Sequence, residues 1–370
     1  MHVMPRASPD LIRSLGVATY AVPTDRPESD GTLEWDRTEV IVVEAAAAGS
    51  SGLGWTYASR AAGELVHSIL RPAVEGQPAL DLEALWGRMA AALRNAGLPG
   101  AGAMALSAVD IALWDLKARI LGRSLLDLLG GARRSVELYG SGGFTSYTEG
   151  ELTAQLGGWA SAGLRSVKMK VGRQPEADCD RVRAARRAIG PSTRLMVDAN
   201  GAYGRKEALH HAGRFAEQAQ VSWFEEPVSS DDLAGLRLLR DRAPAGLEIA
   251  AGEYGHAPAY FRTMLEAGAV DCLQADATRC GGFTGFLKAA ALAEAWHVPL
   301  SAHCAPQLHA HVGCAAPGLR HVEYFHDHVR VDKLLFSGVL EPHEGRLEPD
   351  AARPGHGLAL KLADAARYRA

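Results

Sequence analysis

Short apolar runs recur along the chain from residue 135 onward, at 135–140, 166–171, 194–198, 221–225, 247–251, 270–275, 298–302 and 321–324. Between most of them lie stretches rich in Ala, Leu and Arg, such as ADCDRVRAARRAIG and LAGLRLLRDRAP, with helical spacing of their apolar positions. Strand–helix units of roughly 25–30 residues, repeated about eight times, are what a parallel (β/α) barrel requires. A doubly wound open sheet is the rival, but YGSGGF at 139–144 lacks the helix-opening GxGxxG context of a phosphate turn. The front of the chain has a different texture. Residues 11–57 read as strands around a polar loop, followed by a hairpin whose turn is supplied by Gly49, Gly52 and Gly54. From 58 to about 130 the pattern is helical, clearest in ALSAVDIALWDLKARILGRSLLDLLGG, which Gly130 and Gly131 stop. The predicted organisation is therefore an α+β capping domain (1–132), a barrel (133–335), and a loop-rich segment (336–370) that packs back on the front section.

Composition narrows the class without naming a function. The 370 residues are 47% hydrophobic and 22% charged, with a net charge of −4. No basic excess favours nucleic acid, and the longest alanine-rich apolar runs are broken by charges well short of a membrane span. The N-terminal MHVMPRASPD has no apolar leader. Five cysteines form no CxxC pair, so a reduced cytoplasmic thiol set is expected.

Chemistry in a parallel barrel belongs at the C-terminal ends of the strands. The second strand carries Lys168 and Lys170, two apart and so on the same face. Burial together with mutual repulsion would depress the pKa of at least one of them, making a base near neutral pH. The third strand ends in Asp198, with Asn200 beyond it, the fourth in Glu225-Glu226, and the fifth in Glu253. Either Glu225 or Glu226 can point inward, not both. Carboxylates from three successive strands, converging at one rim, make an oxygen cage suited to Mg²⁺. The sixth strand reaches Asp276 and the seventh His303, so a carboxylate–imidazole hydrogen bond can form between neighbours. The eighth carries Glu323.

These residues resemble the enolase superfamily, and within it the mandelate racemase subgroup. The resemblance rests on KMKVG, VDANGAY, WFEEP, AAGE, QADATRCGG, SAHC and HVEYF, in family order and across nearly the whole chain. It implies a modified (β/α)7β TIM-type barrel with an N-terminal α+β capping domain completed by the C-terminal segment. It also implies Lys170 as a catalytic base tuned by Lys168, and one Mg²⁺ per subunit on Asp198, Glu225 and Glu253. His303 with Asp276 becomes the second acid/base, and Glu323, in protonated form, a hydrogen-bond donor to the substrate carboxylate or the enediolate. Muconate-lactonising relatives carry a lysine at the position of Asp276, so this chain departs from them, which argues against cycloisomerase or dipeptide-epimerase activity.

The implied reaction is removal of the proton α to a carboxylate. The first choice of outcome is dehydration of a sugar acid, aldonate or aldarate, to a 2-keto-3-deoxy acid. Racemisation or epimerisation of a 2-hydroxy acid by the same Lys/His pair is the alternative. A mobile polar loop at about 22–35 suits a polyhydroxylated substrate, with Arg26, Tyr57 and Asn200 as candidate substrate contacts. Expected partners are a small carboxylate and further copies of the chain, from dimer to octamer, with no nucleic acid or membrane. Aldolase-type barrels need one lysine alone in an apolar pocket, and zinc hydrolases need several histidine ligands; neither pattern is present. A binding protein on a decayed barrel would be expected to have lost some of these strand-end residues.

Overall fold

The computed structural model describes residues 10–370. Residues 1–9, where no apolar leader is expected, lie outside the described residues. Three antiparallel strands open the fold: β1 (Ser14–Ser29), β2 (Glu34–Ala47) and β3 (Ser50–Tyr57). The unbroken Val40-Ile41-Val42-Val43 run in β2 follows from burial on both faces. Ile41 and Val43 pack into a core of capping helices, while Val40 and Val42 belong to the core shared with the barrel.

Two details of the expected hairpin differ. Its turn is Ala48-Gly49, both with positive φ, and Gly52 and Gly54 lie inside β3. They are needed there because helix α1 (Ala101–Ile120) presses directly on the strand. A Cβ at Gly52 would lie 2.3 Å from the Ala112 carbonyl oxygen, and one at Gly54 2.3 Å from that of Ala108. The polar loop expected at 22–35 is mostly strand, since β1 runs to Ser29 and β2 starts at Glu34. Only Asp30–Leu33 turns, fastened by Asp30 Oδ1 accepting from the backbone N–H of Thr32 and Leu33.

The barrel consists of eight parallel strands: β4 (Val136–Gly142), β5 (Ser166–Lys170), β6 (Arg194–Asp198), β7 (Val221–Glu225), β8 (Glu248–Ala251), β9 (Cys272–Ala275), β10 (Leu300–Ala302) and β11 (Leu319–Phe325). β11 pairs with β4 and closes it. Helices α2 (Glu149–Ser161), α3 (Gly282–Ala295) and α4 (Pro306–Ala315) are among those connecting the strands, and α5 (His326–Leu335) leads away from β11. The capping helix α1 is joined to the start of α3. Ser107 Oγ accepts from the N–H groups of Gly281 and Gly282, and Asp110 from Thr284. Beyond α5, Arg346-Leu347 pair antiparallel with β4, and His356 Nε2 lies 2.8 Å from the Leu53 carbonyl oxygen in β3. No helix among the described residues is long and apolar enough to cross a membrane.

Candidate active site

Register determines which side chains meet at the barrel mouth. Lys170 pairs with Asp198 and Asp198 with Glu225, so one row across β5, β6 and β7 carries a cation and two carboxylates. Beneath that row the barrel is filled by Tyr139, Met196, Trp223, Ala250 and Cys272. The His321 ring sits edge-on to Tyr139 and Trp223. This apolar floor excludes water from below, so the charges above it interact in a poorly screened space.

Both lysines are buried, and the carboxylates hold them closely. Lys168 Nζ lies 2.6 Å from Glu225 Oε1, 2.8 Å from Glu323 Oε1 and 3.7 Å from Asp198 Oδ2. Lys170 Nζ donates to Asp198 Oδ2. Burial drives both ammonium pKa values down, but the surrounding carboxylates outweigh it and hold both above the ordinary lysine range. The expectation of a depressed lysine is thus reversed in this arrangement, because each lysine faces more negative charge than positive. The same pairing corrects the expectation for Glu323. Burial alone would raise its carboxyl, but Lys168 and His303 hold it well below the usual range, as an ionised acceptor. Glu323 Oε2 also accepts the Cys304 backbone N–H at 3.0 Å.

Across the mouth, His303 Nδ1 lies 2.8 Å from Asp276 Oδ2. Asp276 Oδ1 accepts from the N–H and hydroxyl of Thr278, both at 2.7 Å, which fixes the carboxylate and through it the ring. The other nitrogen, Nε2, faces Glu253 Oε2 at 3.3 Å and Cys304 Sγ at 3.2 Å. Burial depresses the imidazole pKa, and Glu253, Glu323 and Asp276 more than restore it, to above the ordinary value. His309 lies on α4 and braces this corner: Nδ1 donates to the Cys304 carbonyl and Nε2 accepts from Ala277 N–H.

Asp198, Glu225 and Glu253 each bring an oxygen into a group whose members lie within 4.8 Å of one another. All three are buried, the donors are hard oxygens, and Glu253 Oε2 makes no hydrogen bond. This set fits a hard divalent cation such as Mg²⁺. Glu226 is buried at φ 38° and lies outside that group, which separates the two adjacent glutamates.

A cavity of about 620 Å³ opens over these residues and is roofed by the cap hairpin. Lys170, Asn200, Glu253 and His303 reach it from below; Trp35, Arg37 and Tyr57 reach it from above. Asn200 has a buried, unpartnered Oδ1. Tyr57 donates its hydroxyl to Asp332 at 2.5 Å and stacks on His328 at 3.4 Å, so it is a fixed wall. Arg26 does not join them. It pairs with Glu151, the residue of α2 whose side chain answers the N-cap Thr148, and its guanidinium lies 5.3 Å from the Tyr147 ring centroid, outside the cavity. Sequence reasoning missed Arg279, which lines the cavity and lies 3.2 Å from Glu253 and 3.7 Å from Asp276. Its position three residues after Asp276, the spacing of an i,i+3 ion pair, was the available signal.

Residues 16–130 match the mandelate racemase/muconate lactonizing enzyme N-terminal domain, and residues 151–365 match the enolase C-terminal domain-like family. The chain is 35% identical to 3,6-anhydro-α-L-galactonate cycloisomerase of Streptomyces coelicolor, over 84% of this chain and 86% of the relative. It is 32% identical to L-talarate/galactarate dehydratase of Salmonella typhimurium, over 97% and 90%. Among solved structures, a mandelate racemase/muconate lactonizing enzyme-like protein from Rubrobacter xylanophilus shares 57% identity at a TM-score of 0.96, covering 97% of this chain and 100% of that one. A racemase from Streptomyces coelicolor with bound magnesium shares 32% at 0.91, with the same coverage. One of these relatives is named a cycloisomerase, an activity that the aspartate at 276 is expected to argue against. Both domain matches together span most of the chain, and it belongs to the enolase superfamily, in its mandelate racemase subgroup.

Proposed function

We propose that this chain is a magnesium-dependent acid-sugar dehydratase that removes the proton α to a carboxylate and expels a β-hydroxyl, giving a 2-keto-3-deoxy acid. The observation that carries the reading is the two-sided mouth: Lys170 on one wall, the His303–Asp276 pair on the other, and three converging carboxylates between. A similar dehydratase and a magnesium-bound neighbour support it. A cation held by Asp198, Glu225 and Glu253 supplies positive charge where the substrate carboxylate becomes an enediolate.

The remaining steps belong to the side chains. Lys170 first releases its ammonium proton to solvent through the cavity it lines, and the neutral amine then takes the α-proton on its own face. Lys168, tied to Glu225 and Glu323, keeps a fixed positive charge beside the developing negative one. His303, protonated at Nε2 and oriented through Nδ1 by Asp276, gives a proton to the departing hydroxyl. Asn200 offers its amide to the substrate from the cavity floor. The front section (1–132) then selects the substrate, the barrel (133–335) performs the chemistry, and 336–370 fastens the two.

A second reading follows from the cycloisomerase relative. In a 3,6-anhydro acid the β-oxygen is part of a ring, so the same proton abstraction and β-departure opens the ring and releases no water. The test is the Mg²⁺-loaded protein screened against aldonic, aldaric and 3,6-anhydro sugar acids for 2-keto-acid formation, with α-proton exchange followed in D₂O. Keto product with loss of water supports dehydration, and keto product of unchanged mass supports ring opening. Exchange without a keto product points to racemisation. No turnover and no exchange with any acid overturns the proposal.

A further inference from the structure

Outside the catalytic cavity, an irregularity in the cap hairpin brings three metal-ligating side chains together. The pairing of β1 with β2 shifts register between Pro23 and Glu28, and the bulged residues bend toward the barrel. Asp25 and Glu28 thereby meet His326, the first residue of α5, 301 positions along the chain from Asp25. One carboxylate oxygen from each acid and one imidazole nitrogen lie within 4.8 Å of one another, and His326 Nε2 is 3.2 Å from Asp25 Oδ2.

Glu28 supplies the independent observation. It is fully buried; Oε2 accepts the Trp35 indole N–H at 2.9 Å, while Oε1 has no hydrogen-bond partner. A buried carboxylate with an idle oxygen is costly unless a proton or cation satisfies it. Burial first, then Asp327 and Asp25, push its carboxyl up to about 8, against the opposing influence of Trp35 and Arg330. The nearby cations are engaged elsewhere: Arg26 pairs with Glu151, and Arg330 with Asp327 and the Pro23 carbonyl.

We infer that Asp25, Glu28 and His326 form a second divalent-cation site, separate from the barrel-mouth carboxylates, which clamps the cap hairpin to the start of α5. One imidazole with two carboxylates suits a first-row transition ion such as Mn²⁺, Co²⁺, Ni²⁺ or Zn²⁺ better than Mg²⁺. Asp25 and His326 are partly exposed, so an ion can enter and water can complete its coordination. The clamp reaches the active site through the hairpin, because Trp35 and Arg37 on β2 form part of the cavity roof. Occupancy therefore stiffens the wall that contacts the substrate.

The experiment titrates Co²⁺ into the full chain already saturated with Mg²⁺, following uptake by calorimetry and the visible absorption of the bound ion. Hydrogen exchange of the amides at 22–35 is measured in parallel. The wild-type chain takes up one more Co²⁺ than Glu28→Gln or His326→Ala, or binds it more than about tenfold tighter, and its hairpin amides slow on Co²⁺ addition. Asp198→Asn keeps that extra equivalent, which separates this site from the mouth and from the proposed reaction. Glu28→Gln preserves side-chain volume, so a folding defect in His326→Ala leaves the result readable. Equal Co²⁺ uptake and affinity in the wild type and Glu28→Gln, or hairpin exchange in the wild type that Co²⁺ leaves unchanged, overturns the inference.

Discussion

The barrel mouth and the hairpin above it both present charged residues to the same cavity, but in opposite physical states. At the mouth, Lys168, Lys170, Asp198, Glu225, Glu253, Asp276 and Glu323 are all buried, and each is held by at least one partner of opposite charge. On the hairpin, the Arg37 side chain is 65% exposed, and its ion-pair partner Asp36, at 3.9 Å, is itself 80% exposed. Backbone ladders locate the first set, and few contacts restrain the second. Acid–base chemistry needs groups that do not move and that feel one another strongly; selection among related acids needs groups that can be exchanged without disturbing the chemistry.

The largest effect expected from this contrast is at Lys170. Lys170→Ala is expected to reduce turnover by roughly 10²–10⁴-fold and to remove α-proton exchange on its face, read by NMR in D₂O. Exchange at the wild-type rate would remove Lys170 as the base. Next, Asp276→Asn frees the His303 ring from its fixed orientation and lowers kcat by roughly 10–100-fold, with KM little changed, as steady-state kinetics will show.

Acid tests two buried histidines, His321 beneath the mouth and His328 in the cavity wall. Burial holds His321 and His328 at about 3, below the ordinary histidine value. They are neutral in the folded chain and protonate in the unfolded one, so their stability contribution is intact above the unfolded pKa of about 6.5 and is lost as pH falls toward 3. At pH 5.5 each costs on the order of 1 kcal/mol, a shift of the urea midpoint that His321→Gln and His328→Gln should each reduce. A midpoint that stays level between pH 7 and 5.5 would contradict this.

Smaller effects are expected on the hairpin. Arg37→Ala is predicted to raise KM about tenfold for acids with a second carboxylate and not for monocarboxylates, consistent with loss of one charged hydrogen bond. Equal effects on both classes would deny Arg37 a role in selection. Arg26→Ala is expected to change neither constant and to cost under about 1 kcal/mol of stability, since its ion pair with Glu151 is exposed. A KM change in that variant would return Arg26 to the substrate.

The eight barrel strands were legible because each is a short apolar run closed by a polar or glycine residue. Three of the expected ranges, 166–171, 194–198 and 221–225, lie within a residue of the observed strands. The hairpin was less legible. Val22–Trp35 has the composition of a loop, but its two ends are strand, with Val22, Pro23, Glu28 and Ser29 of β1 paired to β2, and ladder bonds are satisfied whatever the side chains are. Gly52 and Gly54 carry turn chemistry locally and serve helix packing instead, which no local window contains.

By itself the sequence determined the alternation of strand and helix, the chemical identity of the strand-end residues and their order around a barrel. Period-2 and period-3.6 patterns are local, and a parallel barrel turns chain order into spatial order. Only the tertiary structure decided the electrostatics and partnerships: that both lysines sit among enough carboxylates to be held above the ordinary lysine range, that Glu323 is held below the usual carboxylate range, that Glu225 rather than Glu226 joins the carboxylate trio, and that Arg37 rather than Arg26 faces the cavity. Those outcomes depend on electrostatic sums over groups far apart in sequence and on how far each is removed from water, and neither quantity exists until the chain is folded.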